Sequence, residues 1–320
     1  MPKTAVFRLN TDTPYLRESG NKKTDESAFS FTLNNEYTPQ KDLAMLIKLP
    51  CIKLLCASLF LLASHTSFAD TDNITQALRH EVRTEENKAR DSARKPEQVL
   101  SFFEVTPQST VVEVWPGSGW YTEILAPLLA KEGKLYASHF SDKFSLLDAE
   151  YMQKARSEYQ DKLESHPVYD NVILTEFAPL ADIAIAPPES ADVVLSVRNQ
   201  LYVFEGEKSM NHALANFYQA LKPGGVLGVV APRLPDDLQD VDWGKSGYVP
   251  EQLWLTLAEE AGFSFEGKND LLLNPKDTAD HPQGIWSLPP SLMGDAKDKE
   301  KYLSIGEANR MVLKFRKPSN

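Results

Sequence analysis

The chain predicts an α/β fold, a doubly wound and mostly parallel sheet of seven strands in one large domain. Three observations carry that reading. A β-branched run, Val111, Val112 and Val114, passes through a glycine turn into a helix. From there to an alternating segment at residues 310–316, strand patterns and helix patterns follow one another with no internal repeat. The region that carries these patterns, about 251 residues long, is ample for a single core.

Residues 1–44 stand apart. They are polar, are broken by Pro2, Pro14 and Pro39, and hold no period of 3.6 or 2, so they are given no fold. At Met45 the character changes. A short basic lead with Lys48 and Lys53 precedes an apolar run from Leu54 to Ala63, and Ser67 and Ala69 set small residues one apart before Asp70. Basic region, apolar core and small-x-small junction are the layout of a signal peptide over residues 45–69, implying export to a compartment such as the periplasm. The apolar run is shorter than the roughly 20 residues a bilayer span needs, so no stable membrane anchor is expected. Met45 is expected to be the true start; a long uncleaved leader is the alternative.

Cleavage after Ala69 leaves residues 70–320 as the folded domain. Of the chain's 34 Lys and Arg and 45 Asp and Glu, eight and six precede the junction, which leaves 26 against 39. So acidic a surface disfavours a nucleic-acid backbone as the main partner. Cys51 and Cys56 both lie in the signal, so the domain has no disulfide framework, no thiolate metal site and no cysteine nucleophile. No His/Asp/Glu cluster has metal-ligand spacing and no Gly-x-Ser-x-Gly elbow occurs, which argues against metal and serine hydrolases.

In chain order, residues 74–94 are charge-rich and helix-forming, with Arg79, Arg83, Arg90 and Arg94 along them. They read either as a solvated helix leading onto the sheet or as a lid with an arginine facing a ligand. Pro96 opens a short helix over 97–103, which the Thr106-Pro107 turn ends. Strand one follows, then a helix from Tyr121. Strand two is expected at 134–138 after the Gly133 stop, strand three at 171–175 and strand four at 192–197. A helix over 209–221 ends at Lys222-Pro223-Gly224-Gly225, and strand five is 226–231. A helix over 250–261 stops at Gly262, strand six starts at 263–265, and strand seven is 310–316.

Gly117 and Gly119 carry no Cβ, so the backbone after strand one can turn sharply and approach a ligand closely. The free N–H groups of the helix that begins at Tyr121 point back at that turn. This is the geometry of a nucleotide-type cofactor site.

Three stretches, in this order and spacing, carry a family resemblance. They are Val111-Val112-Glu113-Val114-Trp115-Pro116-Gly117-Ser118-Gly119, Asp192-Val193-Val194-Leu195-Ser196, and Leu221-Lys222-Pro223-Gly224-Gly225-Val226-Leu227. Together they resemble the class I methyltransferases, a Rossmann-like family that binds S-adenosylmethionine. The Ala261-Gly262-Phe263 step and the run from Met311 to Phe315 resemble that family's closing hairpin, which implies an antiparallel last strand. The turn's Trp120-Tyr121 ending and the terminal Arg316-Lys317-Pro318 are similar to a group of exported bacterial methyltransferases.

The resemblance implies S-adenosylmethionine as cofactor and a small-molecule methyl acceptor. It gives Glu113 the amino-acid part of the cofactor, and Gly117 and Gly119 the close approach to its methionine and ribose portions, with Trp120 and Tyr121 on the same turn. It gives Glu176 an adenine contact, though that residue reads equally as a solvated carboxylate. Arg198 and Asn199 fall at the lip where substrate and catalytic groups sit. The chain departs from the family at Trp115-Pro116, where a first glycine is common. It departs again at His139, where an acidic residue would grip both ribose hydroxyls. A neutral imidazole, with one donor and one acceptor, does not reproduce a carboxylate; Asp142 is a nearby substitute.

Methyl transfer needs in-line positioning, and a base only where the nucleophile must lose a proton. By position the candidates are His139, His212 and His281, with Arg198 as an orienting cation. His212 reads as a structural helix residue, and His281 as a substrate cover or a surface histidine. Asp192 reads as a strand start. Trp120, Tyr121, Trp243, Trp254 and Trp286 read as core or as an apolar cleft. Two other classes compete. A nicotinamide-dependent oxidoreductase would want a third glycine at Thr122 and an acidic ribose partner. A non-catalytic exported ligand-binding protein of the same fold would fit the altered turn and the signal, because S-adenosylmethionine is made in the cytoplasm.

Overall fold

A computed structural model describes residues 66–199, 206–238 and 243–319. The expected leader, residues 1–44, lies outside the described residues, as does the expected signal peptide up to residue 65.

The strands are β1 (Thr110–Val114), β2 (Lys134–Phe140), β3 (Val172–Phe177), β4 (Ala191–Val197), β5 (Leu221–Pro232), β6 (Ser264–Asn269) and β7 (Arg310–Arg316). They form one sheet in the order β3-β2-β1-β4-β5-β7-β6. Strands β1 to β5 pair in parallel, and β7 runs antiparallel between β5 and β6. The seven-stranded doubly wound sheet with an antiparallel last strand is therefore the one the sequence predicts. The winding reverses between β1 and β4, which opens a crevice at the carboxyl ends of those strands.

The main helices are α1 (Thr66–Leu78), α2 (Glu85–Lys88), α3 (Asp91–Arg94), α4 (Pro96–Phe102), α5 (Thr122–Leu129), α6 (Ala149–Glu164), α7 (Glu207–Ala220), α8 (Trp243–Ser246), α9 (Glu251–Glu260) and α10 (Lys299–Ile305). Helices cover both faces of the sheet, so β1 is apolar on both sides. Val112 and Val114 enter one layer with Phe177, Phe217 and Trp254, while Val111 enters the other with Leu100, Phe103 and Ile124. A third cluster of Leu234, Tyr248, Ile285, Leu288 and Tyr302 forms a cap. The Val249 N–H ties it to the end of β5 through the Pro232 carbonyl, at 3.0 Å.

Two expectations are corrected and one helix is added. Residues 74–94 are not one helix: α1 ends at Leu78, and the Thr84 hydroxyl then caps α2 by accepting the Asn87 N–H at 3.2 Å. The break is held by Arg83, which is 2 % exposed and bonds the Leu78 carbonyl at 3.1 Å and both Asp91 oxygens at 2.6 and 2.7 Å. Strand two runs on to Phe140, so His139 lies within the strand. Between β2 and β3 stands α6, capped by Asp148, with Met152 and Tyr159 as its buried residues. Among the described residues, no helix is long and apolar enough to cross a membrane.

Candidate cofactor site

The turn after β1 is built around a tryptophan in a glycine-like conformation. Trp115 has φ 45°, which costs an L-residue roughly 1–2 kcal/mol. Its N–H bonds the Ser138 carbonyl at 2.7 Å and its indole Nε1 the Phe177 carbonyl at 3.2 Å. The buried ring packs against Phe140, Phe144 and Phe177, with centroids 4.9–5.3 Å away. Packing thus holds the backbone shape that a glycine adopts freely.

The two glycines differ. Gly117, at φ 60°, has nothing within 4 Å of where a Cβ would stand, so the turn is open there. Gly119, at φ 84°, is covered: a Cβ would meet Lys162 Cδ at 3.0 Å and Tyr159 Cε2 at 3.1 Å, both on α6.

Beneath the turn, Glu113 is 5 % exposed and accepts a hydrogen bond from the Thr122 hydroxyl at 2.7 Å. Thr122 in turn meets the Tyr159 hydroxyl at 2.9 Å. Burial pushes the Glu113 pKa up to about 7, a shift the Thr122 bond and Lys162 only partly offset. Lys162 itself is paired with Glu123. Among the described residues no cation bonds Glu113, and burial favours its protonated form.

His139 is fully buried, and its Nδ1 accepts the Phe140 N–H at 2.8 Å. The ring proton therefore sits on Nε2, which donates to the Gly117 carbonyl at 3.3 Å. Burial lowers its pKa to about 4, so the ring is neutral with both nitrogens engaged. It fixes the turn and has no lone pair left for a ribose hydroxyl or a substrate proton. Asp142 is exposed and meets the Ser141 hydroxyl at 3.4 Å. Glu176 pairs with Arg156, which holds its carboxyl below the usual range.

Trp120 is buried against the N-terminal arginines. Its ring lies 4.6 Å from the Arg94 guanidinium and 5.6 Å from that of Arg83, and its Nε1 bonds the Asn87 carbonyl at 3.0 Å. It anchors the N-terminal helices. Tyr121 is buried and lines a small cavity with Arg94, Arg198 and Arg310.

At the end of β4, Arg198 has φ 59° and its N–H bonds the Val230 carbonyl at 2.7 Å. The Asn199 amide donates to the Val114 carbonyl, tying β4 to β1 across the switch point. His281 is neither a surface histidine nor near the turn's hydrogen bonds. It is 7 % exposed within the cap, and its Nε2 lies 2.9 Å from Asp277 Oδ1. Asp277 also accepts from the Tyr248 hydroxyl at 2.8 Å and the Asn309 N–H at 2.7 Å. His212 is exposed on α7. Asp192 joins the Thr110 N–H and Lys222 at the amino ends of the central strands, the opposite end from the crevice. Among the described residues no cluster of His, Cys, Asp and Glu fits a metal ion. Thr122, Tyr159 and Arg310 belong to this end of the molecule and carry no sequence signal of a site, whereas Arg94 is one of the arginines that the lid reading of residues 74–94 named.

No family model matches the chain and no curated protein matches it. Among solved structures, it is similar to a SAM-dependent methyltransferase from Methanosarcina mazei, at 11% identity and TM-score 0.46, over 69% of this chain and 98% of that one. It is similar also to a SAM-dependent methyltransferase from Aquifex aeolicus, at 16% identity and TM-score 0.44, over 78% and 98%. A third is a possible exported protein from Bordetella parapertussis, at 15% identity and TM-score 0.43, over 72% and 68%. Likenesses at this level assign neither activity nor ligand.

Proposed function

We propose that the chain is an exported methyltransferase that takes S-adenosylmethionine at the β1 turn and presents a small-molecule acceptor to it in the crevice beside β4. The observation that carries the reading is the open backbone at Gly117 on the turn that follows the buried, cation-free Glu113 carboxyl, at the switch point of a doubly wound sheet. The methionine end of the cofactor fits: its ammonium supplies the cation that Glu113 lacks, and the bare Gly117 backbone admits close approach. At the ribose end His139 offers no free acceptor, so the sugar is held differently from the family pattern.

When bound, the cofactor supplies a methyl group activated by a positively charged sulfur. The chain's own part is positioning. Trp115 and His139 stiffen the turn, Asn199 locks β4 to β1, and Arg198 stands at the lip where an acceptor would be oriented. Both nitrogens of His139 are engaged, so it is no base; His281, in the cap, keeps a free Nδ1 while Asp277 holds its Nε2.

Calorimetric titration of the purified protein with S-adenosylmethionine and S-adenosylhomocysteine tests the reading. Binding supports it. No heat at millimolar ligand would leave the second reading, an exported binding protein without the transfer step, which the closed hydrogen bonds of His139 favour. The export half rests on the basic, apolar and small-x-small pattern of residues 45–69. N-terminal sequencing of the exported protein checks it, with Asp70 expected first.

A further inference from the structure

Four arginines from distant parts of the chain converge beside the crevice on a single carboxylate. Glu307 accepts from Arg94 Nε at 3.0 Å, is paired with Arg310, and lies 3.3 Å from Arg90 Nε. Arg198 feels the same group: the charges acting on it are those of Arg310, Arg94, Glu307 and Arg90. Among the described residues, one negative charge thus faces four positive ones in a region where Arg94 is 8 % and Arg310 2 % exposed. Burying charge without a counter-charge is costly, and the arginines register it. Burial, with the neighbouring guanidiniums, lowers the pKa of Arg94 to about 10 and of Arg198 to about 9.

The hydrogen-bonding capacity is also incomplete. Arg94 Nη2 and Arg310 Nε are buried without a partner, and among the described residues the Arg198 guanidinium has none. All three residues, with Tyr121, line one small cavity whose remaining wall is Val197, Val230 and Leu272. At about 10 Å³ it admits one water-sized group, so it takes the terminal oxygen of a ligand and not its body. Arg198 is held at φ 59°, a strained conformation of the kind that persists where surroundings or function demand it.

We propose that Arg94, Arg198 and Arg310 bind a carboxylate group of the methyl acceptor, which makes that acceptor a small organic acid. A carboxylate matches the planar fork of a guanidinium, supplies the missing counter-charge, and accepts from the unpartnered donors. That the acid is an acceptor rests on the transferase reading; that the site takes a carboxylate does not. Tyr121 lies at once on this cavity's wall and at the N-terminus of α5, on the cofactor turn.

The test is calorimetry on the full protein with acetate, succinate and inorganic phosphate, each with and without S-adenosylhomocysteine. Arg198→Gln is the informative variant, because that side chain gives up no hydrogen bond to the described residues; circular dichroism checks its fold. Succinate should bind more tightly than phosphate, weaken with salt, lose tenfold or more in affinity in Arg198→Gln, and recover in part in Arg198→Lys. S-adenosylhomocysteine affinity should change less than twofold. Absence of carboxylate binding, or binding indifferent to Arg198→Gln, overturns the proposal. So does a parallel loss of S-adenosylhomocysteine affinity, which would give the arginines to the cofactor's own carboxylate. Carboxylate binding without any S-adenosylhomocysteine binding would uphold the site and sink the transferase reading alone.

Discussion

His139 Nε2 lies 3.3 Å from the carbonyl oxygen of Gly117, so a residue inside β2 secures the turn that leaves β1. Where the resembled family keeps an acid for ribose, this chain spends a neutral histidine on its own backbone. The turn is pre-set by protein contacts, from His139 on one side and the Trp115 ring on the other.

His139 and Glu113 give opposite pH dependences. The folded pKa of Glu113, about 7, exceeds its usual 4.5, so the native state holds more protons between those values and stability falls as pH rises through them. The folded pKa of His139, about 4, lies under its usual 6.5, so stability falls as pH drops from 6.5 to 4. Each effect is on the order of 3 kcal/mol, and in the wild type they largely offset each other. Urea denaturation from pH 4.5 to 7 should show Glu113→Gln losing stability on acidification and His139→Gln losing it on alkalinisation. Variant profiles parallel to the wild type would refute the assigned shifts.

The two glycines predict different failures. Asn tolerates the left-handed conformation, so Gly117→Asn should cost no more than about 1 kcal/mol while its side chain fills the open face. Its S-adenosylhomocysteine affinity should fall at least tenfold. Gly119→Arg collides with Tyr159 and Lys162 and should destabilise the fold itself. Thermal melts and calorimetry on the pair separate the two effects.

At Trp115 the usual ranking of glycine and alanine should invert. Trp115→Ala removes a buried aromatic, at roughly 3–5 kcal/mol. Trp115→Gly loses the same packing but is free of the strain at φ 45°, so it should be about 1 kcal/mol more stable than the alanine variant in denaturant titration.

The cap network should be structural. Tyr248→Phe withdraws the phenol donor from buried Asp277 and should cost roughly 1–3 kcal/mol. Calorimetry should find S-adenosylhomocysteine affinity unchanged; a tenfold loss would place the cap in the cofactor site.

The β1 turn was legible because a β-branched run followed by two glycines has few other uses. Helix α6 was not, since a surface helix that buries only Met152 and Tyr159 shows no apolar stripe. Nor did composition reveal that Arg83 sits buried at a helix break, because its partner Asp91 is an ordinary charge in a charged stretch. His139 was placed at a strand end although β2 runs one residue further, and its hydrogen bonds follow from that burial. The arginine cluster joins residues near positions 94, 198 and 310, a proximity created only when β4, β5 and β7 align. For the same reason His281 read as a loop histidine until Asp277 and Tyr248 were seen around it.

A crystal structure of the protein with S-adenosylhomocysteine bound tests the central claim most directly. The account predicts the ligand's amino-acid end at the open face of Gly117, with its ammonium drawn toward the carboxylate of Glu113. Ligand density elsewhere on the sheet, or an unchanged turn with no density under saturating ligand, would contradict it.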